Sequence, residues 1–386
     1  MDLGNKMNLK VVKETIYTKD FQASLEQTKD EAFKELRQKA FQYFTENGFP
    51  TPKNEEWKYT NVALLPIADC GLRVADLKED FDSSLLEKFN YQRNGFTALN
   101  LAFADVVVVM IPKETSVSEP IEFNFKADAD TANFPHIIVV AERGSKATII
   151  ENYESDAKSF TNSAIQIFVE DNAHLTHYRV QKESAEAFHI GTTEITLGRG
   201  SLYNSTNINL GAKLSRHDVH LKFTETGGEA FVDGLYMLAG NQHHDTHSTI
   251  DHSVPNCVSH QSYKGVLNDK SRGVFNGKVF VRENASGTDA QQSNKNLLLS
   301  NDARVDTKPQ LEIYNDDVKC AHGATVGQLE EEELFYLLSR GIEPKLATNL
   351  LTYGFAEEII NKITVEAIKK DLDEAVLNRL EVNLEV

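Results

Sequence analysis

Histidine side chains are the first candidates for metal chemistry in this sequence. The densest group lies in NQHHDTHSTIDH, which holds His243, His244, His247 and His252. On a helix, His243 and His247 would share a face, but the zinc motif HExxH needs a glutamate at position 244. On a strand, four residues span about 13 Å, which is too far for one ion to bridge. The spacing therefore favours a ladder of polar side chains satisfied by neighbouring strands over a metal site.

A second candidate is the pair Cys320 and His322 in LEIYNDDVKCAHGATVG. In an extended segment, residues i and i+2 lie on the same side, about 6.6 Å apart along the backbone. Both side chains can then approach one soft metal ion or sulfide. A buried cysteine beside a structural histidine is the alternative interpretation of so short a motif.

The composition restricts the class of protein that carries these residues. The chain has 386 residues with 58 acidic and 40 basic side chains, which gives a formal net charge of -18. Such a surface repels nucleic-acid phosphates and anionic lipid headgroups, so neither nucleic acid nor a membrane is an expected partner. The longest apolar run lies around residues 106–111, far below the roughly 20 residues of a membrane helix.

The cysteines and the N-terminus both favour a cytoplasmic protein. Cys70, Cys257 and Cys320 are far apart and form no CxxC motif, which argues against a disulfide framework or a self-contained metal site. The first residues, MDLGNKMNLKVVKE, lack the apolar core of a secretory signal. The sequence has no phosphate loop and no GxSxG elbow, so an independent ATPase or hydrolase is not predicted.

The N-terminal part of the chain is predicted to be helical. Residues 20–47 have apolar side chains at three- and four-residue spacing, and Gly48 and Pro50 end the pattern. The loop that follows contains NEEWKYTNV, which holds Trp57, the only tryptophan of the chain. We interpret Trp57 as an aromatic anchor that fixes this segment to the core.

Short strands and turns replace the helical pattern from about residue 134 to residue 327. Equivalent turns are marked by Gly144, Asn172, Gly200, Gly227, Lys270 and Asp302. The first four recur at a nearly constant interval of about 28 residues, whereas the later gaps are longer, which predicts insertions in the later coils. Units of this size cannot bury their own faces, so the period predicts stacked coils of a β-solenoid. A β-sandwich or barrel is the alternative, because regular turns suit it as well. Helices at both termini would cover the solenoid ends.

Residues 329–386 return to helical periodicity. One stripe of apolar side chains runs along the final helix and comprises Ile368, Leu372, Ala375, Val376 and Leu380. This stripe fits two interpretations equally, a cap packed on the solenoid or a docking surface for a partner.

Several long segments resemble the SufB/SufD family of iron–sulfur cluster assembly proteins. They are KPQLEIYNDDVKCAHGATVGQLEEEELFYLLSRGI, DTHSTIDHSVPNCVSHQSYKGVLNDKSRGVFNGKVFV, TDAQQSNKNLLLS and NEEWKYTNV, which together extend from about residue 55 to residue 345. The segment NEEWKYTNV resembles the SufD branch of that family, and the low number of cysteines is also typical of that branch.

The resemblance implies a mainly β fold in which a right-handed parallel β-helix is flanked by two helical domains. The expected divisions are residues 1–134 for N-terminal helices and entry strands, 135–327 for the β-helix, and 328–386 for C-terminal helices. It also implies a non-catalytic subunit that pairs with a SufB-like chain and a SufC-like ABC-type ATPase in cluster assembly and iron acquisition. A homodimer is an alternative state of the isolated chain, and we expect that chain to hold no cofactor stably.

The resemblance also assigns the candidate site residues. It places His322 at the subunit interface where a nascent iron–sulfur cluster forms, as a metal ligand shared with the partner chain, with Cys320 beside it. The C-terminal helices are expected to dock the ATPase through apolar anchors, with Leu334, Phe335, Leu350, Phe355 and Ile359 as candidates. A β-helix enzyme acting on carbohydrate and a purely structural solenoid are the alternative functions.

Overall fold

The computed structural model describes residues 18–65, 71–72 and 83–380, so Cys70 lies outside the described residues. Two helices begin this range, α1 (Thr18–Glu26) and α2 (Glu31–Asn47), where one helix over 20–47 was predicted. The helix is interrupted because Asp30 caps α2, and its side chain accepts a hydrogen bond from the Phe33 amide at 2.6 Å. After short 3-10 turns, α3 (Gly95–Phe103) completes the N-terminal helices, and all of its residues are buried.

Parallel strands form the centre of the molecule, and each coil places one strand in each of two sheets. Every strand pairing among the described residues is parallel. Sheet A contains β1 (Gly71–Leu72), β2 (Asp105–Ile111), β4 (Thr131–Asn133), β5 (Pro135–Ala141), β7 (Phe160–Val169), β9 (Phe188–Leu197), β11 (Leu214–Phe223), β13 (His243–His252), β15 (Arg272–Val281) and β17 (Arg304–Ile313). Sheet B contains β3 (Ile121–Ala127), β6 (Lys146–Ser155), β8 (His174–Glu183), β10 (Leu202–Asn209), β12 (Glu229–Leu238), β14 (Val258–Leu267), β16 (Thr288–Leu298) and β18 (Val318–Gly327). The fold is therefore a parallel β-helix, as predicted, and the sandwich alternative is wrong.

The predicted period is visible in a column of left-handed residues where the chain turns from sheet A to sheet B. The column contains Gly144, Asn172, Gly200 and Gly227, with φ values between 56° and 77°. Backbone hydrogen bonds join successive turns, such as the one that the Gly144 amide donates to the Asp171 carbonyl at 3.0 Å. Glycine and asparagine suit these positions because they tolerate positive φ.

The prediction that the later coils contain insertions is wrong. Asn256 and Gly287 continue the same column after Gly227 with φ values of 58° and 70°, and the spacing stays close to that of the earlier turns. Lys270 and Asp302 instead lie at the opposite turn, where the chain returns from sheet B to sheet A. The apparent long gap after Gly227 came from comparing turns on two different sides of the coil.

The terminal helices pack on the sides of the β-helix. The N-terminal helices cover the outer face of sheet A, where Phe160, Ala164 and Ile190 join a cluster that contains Trp57 and the α3 side chains. At the C-terminus, α4 (Glu331–Ser339), α5 (Pro344–Ile360) and α6 (Glu366–Arg379) follow β18.

Helices α5 and α6 cover the outer face of sheet B. The predicted stripe of α6 packs there against Tyr178, Val180 and Ile208. The outer faces of both sheets carry large apolar side chains, which need this cover. The prediction that the terminal helices would cap the solenoid ends is therefore wrong for α5 and α6, because they lie along its side.

Candidate functional site at the open end of the β-helix

The β-helix ends on two strands that each have a neighbour on one side only. β17 pairs with β15, and β18 pairs with β16, and neither has a further partner in the described part of the chain. Most residues of β18 are exposed, in contrast to the largely buried strands of the preceding coils. Each edge therefore presents a row of unpaired backbone amide and carbonyl groups.

The structure places Cys320 and His322 on β18, on the row of side chains that faces the interior of the coil. Cys320 lies in register with Ala290 and packs against a cluster that includes Val279, Val281 and Ala290. His322 lies two residues further along the same row, and it is exposed because no coil covers it. The predicted same-side arrangement of the two residues is thus present, at the edge of the fold.

The environment of Cys320 is that of a protonated thiol. Burial, together with the nearby Asp289 carboxylate, raises the pKa of Cys320 above its ordinary value. A thiol with a raised pKa is a weak nucleophile and a weak ligand until a cation or a metal ion approaches it. In the described residues, no group of three or more His, Cys, Asp or Glu side chains is arranged to hold a metal ion. Cys320 and His322 are thus two side chains of the kinds that bind soft metal ions, placed on one row of β18.

The predicted anchor residues fall into two groups. No residue of α4 is buried, and Phe335 and Tyr336 on this helix are 71% and 57% exposed. Leu334 and Leu350 are half-buried. Phe355 packs beside the core beneath α5, and Ile359 is 1% exposed inside it. Of the predicted anchors, Phe335 alone is largely exposed, and Ile359 stabilises the attachment of α5 to sheet B.

The histidine cluster is a polar ladder on a strand, as the spacing favoured. His244 and His252 point inward, where they contact Ser215 at 2.7 Å and Ser259 at 2.8 Å. His243 and His247 point outward and contact Thr60 at 2.9 Å and Glu56 at 3.3 Å. The adjacent side chains alternate between two faces of β13, so they do not converge on one ion.

The coil interior also holds a charged cluster that sequence reasoning missed. His177 lies between Glu151 and the Tyr203 hydroxyl, at 2.6 and 2.8 Å. Arg179 donates a hydrogen bond to His189 Nε2 at 2.6 Å, so the other ring nitrogen carries the proton that it donates to Glu183 at 2.8 Å. The signal was present as charged residues at alternate strand positions, but such residues are normally assigned to the solvent face.

The pKa values of this cluster follow from its pairing. Burial raises the pKa of Glu151 and Glu183, but the partner histidines and Arg179 outweigh burial and keep both pKa values below the ordinary range. Burial lowers the pKa of His189, which agrees with its neutral, singly protonated ring. Each buried carboxylate is thus ionised and held by specific donors, an arrangement that suits a structural role in positioning the strands.

Family models match most of the chain. The model described as "SUF system FeS cluster assembly, SufBD core domain" matches residues 123–355, and the model for the SufBD protein N-terminal region matches residues 13–90. The core match contains the β-helix from β3 onward, the open end, α4 and part of α5. No helix long and apolar enough to cross a membrane was found in the described residues.

Individual relatives agree with these matches. An iron–sulfur cluster assembly SufBD family protein of Synechocystis is 37% identical over 347 residues, which cover 86% of this chain and 76% of the relative. The iron–sulfur cluster assembly protein SufD of Escherichia coli is 37% identical over 255 residues, which cover 66% of this chain and 60% of the relative. SufD of Bacillus subtilis is 29% identical over 310 residues, with coverage of 75% and 69%. The fold, the matched domains and these relatives together show that the chain belongs to the SufBD family of the SUF iron–sulfur cluster assembly system.

Proposed function

We propose that the chain is a non-catalytic, cytoplasmic subunit of a SufBCD-type complex, in which it supports iron–sulfur cluster assembly and iron acquisition. The observation that carries this proposal is the open end of the β-helix, where His322 and Cys320 share one row of β18. Two potential ligands at an unpaired edge form an incomplete site, and a second chain is needed to complete it.

The edges of β17 and β18 are the surface that we assign to the SufB-like subunit. Each strand has ten residues, so a partner's terminal coil can continue both sheets across the interface. The exposed Ile313, Tyr314 and Val326 lie on or beside these strands and supply apolar area to the same contact. When no SufB-like chain is present, a second copy of this chain can occupy the same edges, which gives the homodimer.

The nascent cluster is cargo of this interface rather than a resident cofactor. A neutral imidazole ligates iron, and a thiolate at Cys320 would form when bound iron lowers the thiol pKa. One histidine and one cysteine leave part of the iron coordination to the partner chain and to sulfide. We therefore expect the isolated chain to be colourless and the complex to acquire colour only while it assembles a cluster.

The test is cluster yield from the complete complex in cells. His322→Ala should fold and keep its partners but reduce the yield of cluster-loaded acceptor protein at least tenfold, and Cys320→Ser reports whether the thiol is also required. His260→Ala is the matched control, because His260 is a part-exposed histidine on β14, two strands from β18 in the same sheet, and its substitution should leave the yield unchanged. A normal cluster yield from a stably expressed His322→Ala complex would overturn the proposal.

Helix α4 is the surface that we assign to the SufC-like ATPase. Its aromatic side chains Phe335 and Tyr336 are exposed, and its first turn carries Glu331, Glu332 and Glu333. An exposed aromatic pair on a helix with no buried residue is an unusual arrangement for a surface without a partner, and it matches the composition of binding hot spots.

Point substitutions test this surface more cleanly than truncation, because removal of α5 would uncover the apolar face of sheet B. Phe335→Ala should weaken ATPase binding at least tenfold in calorimetry, by loss of about 1.4 kcal/mol or more. Met110→Ala is the control, since Met110 is 50% exposed on the distant β2. Equal ATPase affinity for the wild type and the Phe335→Ala/Tyr336→Ala double variant would exclude α4 as the docking site.

A further inference from the structure

Gln292 is a buried residue beside the candidate site. It lies on the inner row of β16, is 3% exposed, and both its Oε1 and Nε2 lack a hydrogen-bond partner among the described residues. Its register neighbour on β18 is His322. Aligned residues of adjacent strands stand about 4.8 Å apart with their side chains on the same face. An amide with unused hydrogen-bonding capacity therefore stands next to the exposed imidazole.

The Gln292 amide lies against Gly277 of the opposite sheet. A Cβ atom placed on Gly277 of β15 would overlap Gln292 Nε2, so this amide occupies the space that a side chain at position 277 would fill. Deeper in the same row, Gln261 is in register with Gln292, and its Oε1 accepts a hydrogen bond from Ser248 at 2.7 Å. The Gln261 Nε2 has no hydrogen-bond partner among the described residues, so Gln261 is paired at its oxygen alone, whereas Gln292 at the open end is paired at neither atom.

We propose that Gln292 is a positioning residue for His322: when the exposed His322 side chain rotates toward the interior, a ring N–H donates a hydrogen bond to the unpartnered Gln292 Oε1. This bond fixes one neutral tautomer and directs the lone pair of the other ring nitrogen toward the open end. Histidine ligands commonly hold their second nitrogen in this way, because the fixed tautomer orients the ligating atom. The ligating role of that nitrogen rests on the proposed function, whereas the hydrogen bond itself does not.

Side-chain ¹⁵N NMR of the histidine-labelled full chain tests the hydrogen bond at one fixed pH, about two units above the ordinary histidine pKa of about 6.5. The His322 signals are assigned by their absence in His322→Gln. The wild type should show a single tautomer with a ring N–H proton that exchanges slowly enough to be observed. Gln292→Met, which removes both amide atoms at similar length, should give a tautomer mixture and at least a tenfold faster N–H exchange.

Three further variants separate positioning from structural damage. Gln292→Glu keeps an acceptor at the same place and should restore the single tautomer. Gly277→Ala displaces the amide without changing Gln292 and should reproduce the Gln292→Met result, even if Gln292→Met does not fold. Gln261→Met makes the same substitution one coil deeper and should leave the His322 signals as in the wild type.

The outcomes also separate this inference from the proposed function. Identical His322 spectra in the wild type, Gln292→Met and Gly277→Ala would overturn the hydrogen bond, whatever the cluster yield. An altered tautomer in Gln292→Met with a normal cluster yield would support the hydrogen bond and overturn the positioning role of Gln292 in cluster assembly, while the ligand role of His322 is decided by His322→Ala. An altered tautomer with reduced yield, rescued in both measurements by Gln292→Glu, would support the two together.

Discussion

The guanidinium of Arg216 lies 3.8 Å from the centroid of the Trp57 indole ring, and this contact joins the N-terminal segment to sheet A. Arg216 also donates hydrogen bonds to the Glu56 carbonyl at 2.6 Å and to Asp245 at 2.9 Å. The segment NEEWKYTNV is therefore held by an aromatic contact and by a buried ion cluster at the same point. This explains why the single tryptophan acts as the predicted anchor.

Trp57→Ala should detach this segment. Trp57 is 3% exposed and also stacks on Phe96, so its truncation should cost about 3–5 kcal/mol of unfolding free energy. Limited proteolysis should then cleave near residues 50–62 at least tenfold faster, while β-sheet circular dichroism stays unchanged. Lys58→Ala, at an exposed neighbouring position, is the control. Equal cleavage rates in the two variants would contradict the anchor role.

Arg216→Met should be strongly destabilising because it leaves Asp218 buried without its cation and leaves Asp245 with His247, at 3.0 Å, as its remaining ion-pair partner. Breaking a buried ion pair on one side costs about 3–5 kcal/mol. Arg216→Met/Asp218→Asn removes one of the stranded charges and should recover a substantial part of that loss. Denaturant unfolding measures both variants, and a double variant no more stable than Arg216→Met would show that packing on Trp57, and not charge, dominates.

The free energy of unfolding should fall as the pH decreases from neutrality to about 4. Burial lowers the pKa of His252 to about 4 and that of His244 to about 3, whereas both titrate near 6.5 in the unfolded chain. The unfolded state therefore binds more protons below about pH 6.5, and each group contributes a slope of at most about 1.4 kcal/mol per pH unit.

The contribution of His252 to this slope can be isolated by substitution. The His252 ring stacks on Phe223 with ring centroids 4.5 Å apart, and His252→Phe keeps an aromatic ring at this position. The variant should flatten the decline of the unfolding free energy with falling pH. Urea unfolding between about pH 7.5 and 5 measures this slope. Ser259→Ala removes the hydrogen-bond partner of His252 but no titrating group, so it should lower stability without flattening the slope. An unchanged slope in His252→Phe would assign the acid sensitivity to other groups.

Alanine substitutions of Ile359 and Phe335 should change the free energy of unfolding by very different amounts, although both residues were predicted as anchors. Ile359→Ala removes a side chain buried between α5 and sheet B and should cost about 2–5 kcal/mol. Phe335→Ala removes an exposed ring and should change stability by less than about 0.5 kcal/mol. Thermal unfolding of the two variants measures this difference directly. Equal loss of stability would mean that α4 packs on the fold in solution.

The sequence was sufficient to predict the elements that depend on local pattern. The nearly constant spacing of the first turns predicted the coils, and the Cys-x-His spacing predicted two side chains on one side of β18. Trp57 was identified as an anchor because a lone large aromatic residue beside a loop is rarely solvent-exposed. These features depend on residues close together in the chain.

The remaining features depend on contacts between distant coils. Charged residues such as Glu151 and Arg179 face the interior because each finds a partner on the neighbouring strand, which alternation in one strand does not reveal. The alignment of Gln292 with His322 depends on the register of two strands that lie one full coil apart in the chain. The burial of Ile359 depends on the side of the β-helix that α5 covers.

The column of left-handed residues, one in each coil, determines which changes in chain length this molecule tolerates. Equivalent turns recur once per coil, and the strands of each coil are in register with those of the coils on either side. Deleting one residue within a strand would reverse its inward and outward side chains and place apolar groups in water. A whole coil could be duplicated or lost while every remaining strand keeps its partners. Divergence in length should therefore occur either in complete coils or in the terminal helices.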